Sequence, residues 1–210
     1  MKERTKESKA ALLTVVWQVA LIFTILFSAC GVNAQLTSKP FSADKVVTKK
    51  GKTTTTKVYA TPTAVRAEGL QNGKPYIAID RYDRKVIWSI MPEQKMYVEM
   101  QIPGGADIAD AMNGLAKGMM KDAQIKHESL GSEQVNGLQC DKSRTTMTWQ
   151  GITGSSIEWS AKDLGGFVVK KQDDTLGEVT EYKNIQLGPQ DPSLFELPPG
   201  YKKMSLTGKE

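Results

Sequence analysis

Histidine and cysteine are both scarce in this 210-residue chain, which contains one His and two Cys. A single His excludes a multi-histidine metal site and the helix motif of zinc proteases. Two Cys, far apart in the sequence, exclude a disulfide-rich scaffold and a four-cysteine zinc site. Charged residues make up 24% and hydrophobic residues 40%, as in an ordinary globular chain. The length suits one domain with a targeting segment.

Motifs for nucleotide binding and for nucleophilic catalysis are also missing. The sequence has no glycine-rich phosphate loop, no dinucleotide fingerprint, no Gly-x-Ser-x-Gly elbow and no Cys-x-x-Cys pair. We expect turns at Asp80, Asp83 and Asp173-Asp174, since Asp is favoured there, and we expect His127-Glu128 to be an exposed polar pair. The residues therefore predict no enzyme, no metal site and no cofactor. A cleft with several groups of perturbed pKa would revive the enzyme hypothesis.

The first 34 residues have the pattern of a secretory signal peptide. Residues 1–9 carry four Lys or Arg and two Glu, and residues 10–29 carry no charge. Val32-Asn33-Ala34 fits ordinary signal peptidase, which makes residues 1–34 the signal peptide. Ser28-Ala29-Cys30 resembles a lipobox, which would end the signal at residue 29 and leave a lipidated Cys30. An uncleaved membrane anchor is the third interpretation.

Removal of the signal peptide leaves a mildly basic chain. Residues 35–210 contain 24 Lys and Arg and 21 Asp and Glu, a net charge of +3. Such an excess, spread along the chain, is no nucleic-acid footprint, and we expect no nucleic-acid partner. Cys140 then has no second cysteine unless Cys30 is retained. We expect it to be a buried small hydrophobe in a strand, and the alternative is a reactive thiol.

The mature chain predicts a sheet, then one helix, then more sheet. From Phe41 to Ile102, runs rich in Thr, Val and Ile are separated by turn signals such as Lys50-Gly51-Lys52 and Asn72-Gly73. Consecutive hairpins of this kind form a meander. After the helix, strand-like runs with Gly and Asp turns resume: 137–151, 155–166, 166–173 and 177–188.

Both faces of the first predicted sheet are apolar. We place Ile79 opposite Val86 and Ile90 opposite Tyr97. One face then carries Ile77, Ile79, Val86, Trp88, Ile90 and Tyr97. The other carries Ala78, Ile87, Met91, Met96, Val98 and Met100. A sheet with one solvated face alternates apolar and polar residues, so this sheet is covered on both sides or curves around something apolar.

An amphipathic helix is predicted from the N-cap Asp107 to about Ala123. Its apolar residues share one stripe at helical spacing: Ile108, Met112, Leu115 and Met119. Gly114 and Gly118 each cost about 1 kcal/mol in a helix, so this helix is marginal alone. A mobile lid fits that description, and a plain core-covering helix is the alternative.

Two stretches of the chain carry a family resemblance. They are VIWSIMPEQKMY at residues 86–97 and the ending from Phe195 to Tyr201. With the order of signal peptide, strands, helical insert and strands, they resemble a bacterial envelope family of unknown function, over nearly all of residues 41–204. That family is similar in fold to the periplasmic lipoprotein carriers of the outer-membrane localisation pathway. The resemblance implies a mainly β fold, a half-open antiparallel β-barrel with one amphipathic helical lid, forming a single domain over residues 35–210.

The sequence leads to two main hypotheses of function. The first is an envelope protein that holds a lipophilic ligand, a lipid, acyl chain or lipidated protein, in an apolar cavity. Its predicted cavity and lid residues are Ile79, Trp88, Ile90, Met112, Leu115 and Met119. The alternative is a structural or interaction protein of the envelope, whose barrel is filled by side chains such as Trp88, Trp149 and Trp159. In either case we expect a periplasmic monomer, or an outer-membrane lipoprotein that contacts the membrane only through its anchor.

Overall fold

The strands of this protein join into one open sheet. The computed structural model describes residues 37–101 and 124–204, which all belong to one compact unit, residues 34–204. The strands of the described residues are β1 (Phe41–Lys49), β2 (Lys52–Ala60), β3 (Ala64–Gln71), β4 (Lys74–Arg81), β5 (Val86–Met91), β6 (Met96–Gln101), β7 (Gln124–Val135), β8 (Leu138–Trp149), β9 (Ile152–Ala161), β10 (Phe167–Asp173), β11 (Glu178–Leu187) and β12 (Lys202–Lys203). Two short 3₁₀ helices span Lys162–Leu164 and Pro192–Phe195. The predicted mainly β class is confirmed.

The sheet consists of two meanders joined in the middle. Its strand order is β12-β6-β5-β4-β3-β2-β1-β11-β10-β9-β8-β7. Neighbouring strands are antiparallel, apart from the parallel pair of β12 and β6. The antiparallel pairing of β1 with β11 joins the two halves. The sheet therefore has two edges, β12 and β7, within the part of the chain that the structure describes.

Tight hairpin turns set the register of the meander. Asn72 and Gly73 have φ angles of 51° and 78°, and Lys50 and Gly51 have 49° and 76°. Left-handed conformation at both central residues is the requirement of a type I′ turn, which matches the twist of the flanking strands. The turn predicted at Asn72-Gly73 is confirmed.

Three details of the predicted sheet are wrong. The two turn signals at residues 50–52 and 72–73 predict one strand-like run over residues 53–70, but this run is two strands, because the chain turns at residues 61–63 between β2 and β3. Ile79 lies opposite Trp88, and Val86 lies opposite Arg81. Strand β7 was not predicted at all. Its side chains are nearly all exposed, so its sequence lacks the apolar alternation that marks a half-buried strand.

The larger of the two buried clusters lies at the joint between the meanders. Phe41, Phe167 and Tyr182 meet edge to face there, with ring centroids 5.1 to 6.4 Å apart. This geometry is favourable for aromatic rings. Trp159 and Cys140 belong to the same cluster, and Cys140 is fully buried on β8. The prediction of a buried cysteine in a strand is confirmed.

Several predictions fall outside the described residues. They concern the signal peptide, the lipobox cysteine Cys30 and the helix from Asp107 to about Ala123. The predicted lid residues also lie outside the described residues: Met112, Leu115 and Met119. Within residues 37–101 and 124–204, no helix is long and apolar enough to cross a membrane.

Candidate ligand-binding face

Strands β4, β5 and β6 have two apolar faces, as predicted. Side chains alternate between faces along a strand, and the observed registers place the predicted sets together. We call the first set the strap face: Ile77, Ile79, Val86, Trp88, Ile90 and Tyr97. We call the second set, which includes two polar residues, the methionine face: Ala78, Asp80, Ile87, Ser89, Met91, Met96, Val98 and Met100. The register error did not exchange these faces, because its shift was an even number of residues.

The chain's own C-terminal segment covers the strap face. We call residues 188–204 the C-terminal strap. It leaves the end of β11, where Gly188 N donates to Pro40 O over 3.0 Å, and ends at β6, where Met204 N donates to Tyr97 O over 2.8 Å. Its apolar side chains form the second buried cluster with Ile79, Trp88 and Ile90: Leu194, Phe195, Leu197 and Tyr201.

Arginines of the sheet hold the backbone of the strap. Arg66 Nη1 donates to Leu194 O over 2.8 Å, and Arg81 Nη1 donates to Phe195 O over 3.2 Å. Glu196 accepts from Arg81 and Arg84, each over 2.7 Å. Hydrogen bonds from Arg84, and then from Arg81, lower the pKa of Glu196. These bonds fix the register of the strap along β3 and β4.

A second polar link ties the end of the strap to a buried tryptophan. Trp88 Nε1 donates to Glu99 over 3.0 Å, and Lys203 Nζ donates to the same carboxylate over 2.7 Å. The indole N–H is therefore satisfied although the ring is buried. Glu99 thus connects the second residue of β12 to the strap face.

Three predicted cavity residues lie under this strap. The exposed fractions of Ile79, Trp88 and Ile90 are 0%, 7% and 1%. Ligand contact at these residues stays a prediction, and it would require the strap to leave the sheet. No local sequence pattern predicts that the strap covers this face, because the hydrogen bonds that hold the strap join residues more than 110 positions apart.

The methionine face is apolar, but no cluster of described residues closes it over β4 to β6. Ala78 and Val98 are buried, with exposed fractions of 6% and 2%, yet neither belongs to either buried cluster. The larger apolar side chains beside them are half-buried: Ile87, Met91, Met96 and Met100. A surface of flexible thioethers around a buried floor suits an apolar ligand of irregular shape.

Asp80 is a polar residue of this face, and the predicted turn at this residue is wrong. It lies within strand β4, opposite Val65 on one side and Ile87 on the other, and not in a turn. Burial raises its pKa to about 6, and its carboxylate has no hydrogen-bond or ion-pair partner in the described part of the chain. The sequence signal for a strand at Asp80 is the apolar run Ile77-Ala78-Ile79 directly before it.

The same face continues across the sheet to a lysine. The pairs Ala43–Val58, Val58–Ala67 and Ala67–Ala78 carry one side of the sheet from β1 to β4. Lys45, two residues after Ala43, projects to that side. Burial lowers the pKa of Lys45, and the charge of Glu178 opposes the shift. This side of the sheet thus carries a half-buried acid on β4 and a half-buried base on β1.

The remaining chemical candidates do not come together. His127 is exposed on β7, with Nδ1 3.0 Å from Thr145 Oγ1, whereas Cys140 lies opposite Glu133. Burial raises the pKa of the Cys140 thiol, which opposes formation of the reactive thiolate. Among the residues that the structure describes, no group of three or more His, Cys, Asp or Glu could hold a metal ion.

Comparison with known proteins assigns the family. Residues 45–167 match a domain of unknown function, DUF4412, over more than half of the chain. The chain belongs to the DUF4412 family. The predicted membership of a family of unknown function is confirmed. No curated protein matches this DUF4412 chain in sequence.

Solved structures of low sequence identity share this fold. An uncharacterised conserved protein of Thermus thermophilus is 14% identical, with a TM-score of 0.53, over 80% of this DUF4412 chain and 90% of that chain. MucB in the Pseudomonas aeruginosa MucA/MucB complex is 13% identical, with a TM-score of 0.52, over 77% of this chain. The match spans 56% of that MucB chain, just over half its length. The lipoprotein LppX of Mycobacterium tuberculosis matches at 15% identity over 87% of this chain and 98% of that chain. Its TM-score of 0.36 is too low to support an inference.

Proposed function

We propose that this protein binds a lipophilic ligand, a lipid or an acyl chain, on the methionine face, without catalysis. One observation carries the proposal. Of two apolar faces on the same three strands, the C-terminal strap closes one, while the other presents half-buried methionines that no described cluster covers.

Methionine side chains suit a long apolar ligand. An acyl chain offers area but few directed hydrogen bonds, so its site needs adaptable apolar side chains. Each buried CH₂ group contributes about 0.8 kcal/mol, and a long chain therefore binds by burial alone. Met91, Met96 and Met100 lie on two adjacent strands and provide such a surface.

Two charged residues on this side of the sheet, Asp80 and Lys45, would bind the polar end of the ligand. Neither Asp80 nor Lys45 has a hydrogen bond or an ion pair within residues 37–101 and 124–204, so each can serve a ligand group. An anionic head group would bind at Lys45, and a hydroxyl or amine would donate to Asp80. The acyl chain itself lies along the methionines of β5 and β6, because the residues of β2 and β3 on this side belong to or pack against the larger buried cluster.

The half-open barrel and its helical lid belong to this proposal. Residues 102–123 connect β6, next to one edge of the sheet, with β7 at the other edge. In the proposal they form the predicted lid, whose apolar stripe of Met112, Leu115 and Met119 closes over the ligand. The protein is exported after cleavage at residue 34 and works in the periplasm, or it is anchored there by a lipid on Cys30.

The decisive measurement is native mass spectrometry of the processed protein, followed by organic extraction and by titration with a fluorescent fatty acid. We expect a co-purifying lipid, and at least tenfold weaker binding by Met96→Asp. Leu187→Asp is the matched control, because Leu187 is exposed and lies at the end of β11. A protein without lipid that also fails to bind the fatty acid would refute the proposal, as would equal binding by both folded variants.

A structural or interaction protein is the second candidate. Trp88 and Trp159 are buried within the two clusters, which is the filling that this alternative requires. MucB, of similar fold, has been solved in complex with MucA. If the ligand titration is negative, a protein partner from the envelope becomes the hypothesis to test.

A further inference from the structure

Most of the exposed large apolar side chains lie at one end of the sheet. They are Leu70, Ile125, Met147, Ile152 and Leu176, with exposed fractions from 36% to 69%. We call these five residues the hairpin rim. Leu187, at the end of β11, is the remaining exposed large apolar residue of the described chain.

Strand directions place the rim at the end that carries the β1–β2 turn. Antiparallel pairing puts the β3–β4, β8–β9 and β10–β11 turns at that same end. Leu70 and Ile152 lie beside two of these turns, and Leu176 lies within the third. Ile125 begins β7 and pairs directly with Met147. Leu187 is at the opposite end, where it pairs with Phe41.

Lysines stand between the apolar residues of the rim. Acidic side chains near the turns are fewer, and contacts within the protein engage three of them. Asp173 and Asp174 accept hydrogen bonds from Leu176 N and from Ser155 Oγ, and Glu178 forms an ion pair with Lys49 over 3.2 Å. The exposed lysines at this end that have no ion pair within the described residues are Lys50, Lys52, Lys74, Lys95 and Lys126.

We propose that the hairpin rim docks on the surface of an anionic phospholipid bilayer. Its apolar side chains insert between head groups, and its lysines bind lipid phosphates. The partner is a bilayer and not a protein, because the apolar residues sit on separate turns with polar residues between them. A stable protein interface would instead need a contiguous apolar centre.

Trp149 adds a second feature of a bilayer-facing end. It is half-buried at the end of β8 and pairs with Ile152 across the β8–β9 turn. Tryptophan prefers the boundary between head groups and acyl chains, where its ring is buried and its N–H is solvated. This end of the sheet therefore presents exposed apolar residues, lysines and a tryptophan suited to the bilayer interface.

Position-specific labelling tests the proposal. In the full chain with Cys30→Ser, a polarity-sensitive dye is attached at Ile152→Cys or, as the matched control, at Leu187→Cys. Cys140 is buried and stays unlabelled. With vesicles of phosphatidylcholine and phosphatidylglycerol, we expect a blue shift and quenching by spin-labelled lipid at position 152 but not at position 187. Both variants share one N-terminus, so an anchor there affects them equally.

Charge variants give the second arm. Lys50→Gln with Lys52→Gln should weaken binding to the same vesicles about fivefold for each lysine removed, and added salt should have a similar effect. Lys39→Gln with Lys85→Gln, two exposed lysines away from the rim, is the control. An equal response at positions 152 and 187, no response at 152, or a response that requires an added membrane protein would each overturn the proposal. Equal affinity of the two double variants would do so as well.

Discussion

Burial of the Asp80 carboxyl favours its protonated form, which places its pKa near 6 and above the ordinary value of 3.8. The folded protein therefore holds this proton in a pH range where the unfolded chain has released it. Stability from this residue is highest below pH 4 and falls as the pH rises through about 6. The free-energy cost of ionising this buried carboxyl is therefore present at neutral pH.

Asp80→Asn should therefore stabilise the protein at pH 7.5, by about 1 to 2 kcal/mol once partial solvent exposure is counted. The gain should shrink as the pH falls from about 6 to about 4 and vanish below about pH 3, where the carboxyl is neutral in both states. Urea unfolding at several pH values measures the difference. A gain that does not change with pH would contradict the assignment.

Asp83 is the matched carboxylate for this experiment. A hydrogen bond from Arg81 lowers the pKa of Asp83. The effect of pH on the stability that Asp83 contributes therefore has the opposite sign to that of Asp80. Asp83→Asn should destabilise the protein at neutral pH, by up to about 1 kcal/mol because the pair is partly exposed. That loss should shrink as the pH falls below about 4.

Cys140 should resist alkylation in the native protein. It is fully buried, and burial raises the pKa of its thiol, so both access and thiolate formation are suppressed. The check is the rate of reaction with iodoacetamide at pH 7.5 in the native and urea-unfolded protein. Similar rates in the two states would show that β8 opens readily or that the thiol is accessible.

At the level of elements, the C-terminal strap stabilises the sheet it covers. Phe195→Ala should destabilise the protein by about 3 to 4 kcal/mol, since the ring is 4% exposed and packs on the strap face. Denaturant unfolding monitored by far-UV circular dichroism measures this loss. Leu187→Ala, at an exposed site, should change stability by less than about 0.5 kcal/mol. Comparable losses in the two variants would mean that the strap is not part of the folding unit.

Local patterns explain which strands were predictable. The alternation of side chains along β4, β5 and β6 and the turn signal at Asn72-Gly73 act over a few residues, so the sequence predicted both faces correctly. Strand β7 has no buried stripe and is specified by its pairing with β8, which a local pattern does not contain. The preference of Asp for turns predicts a turn at Asp80, but strand β4 continues through this residue.

Long-range contacts explain why the site was only partly predictable. The sequence identified two apolar faces, but it could not tell which one the chain itself covers. That choice depends on bonds such as Arg66 to Leu194, which join residues 128 positions apart. The sequence therefore predicts Ile79, Trp88 and Ile90 as cavity residues, whereas the structure places them under the strap.

At the scale of the whole molecule, the end of the chain completes a structure that the beginning started. Strands β3 to β6 are made before β7 to β12, but their buried cover arrives only with residues 188–204. Contacts between such distant residues form slowly, because a long loop must close before any of them contributes. During synthesis, the hairpins of the first half emerge with Ile79, Trp88 and Ile90 uncovered for more than ninety residues of further elongation. Until residues 188–204 join the sheet, the strap therefore leaves one apolar side of β4 to β6 uncovered.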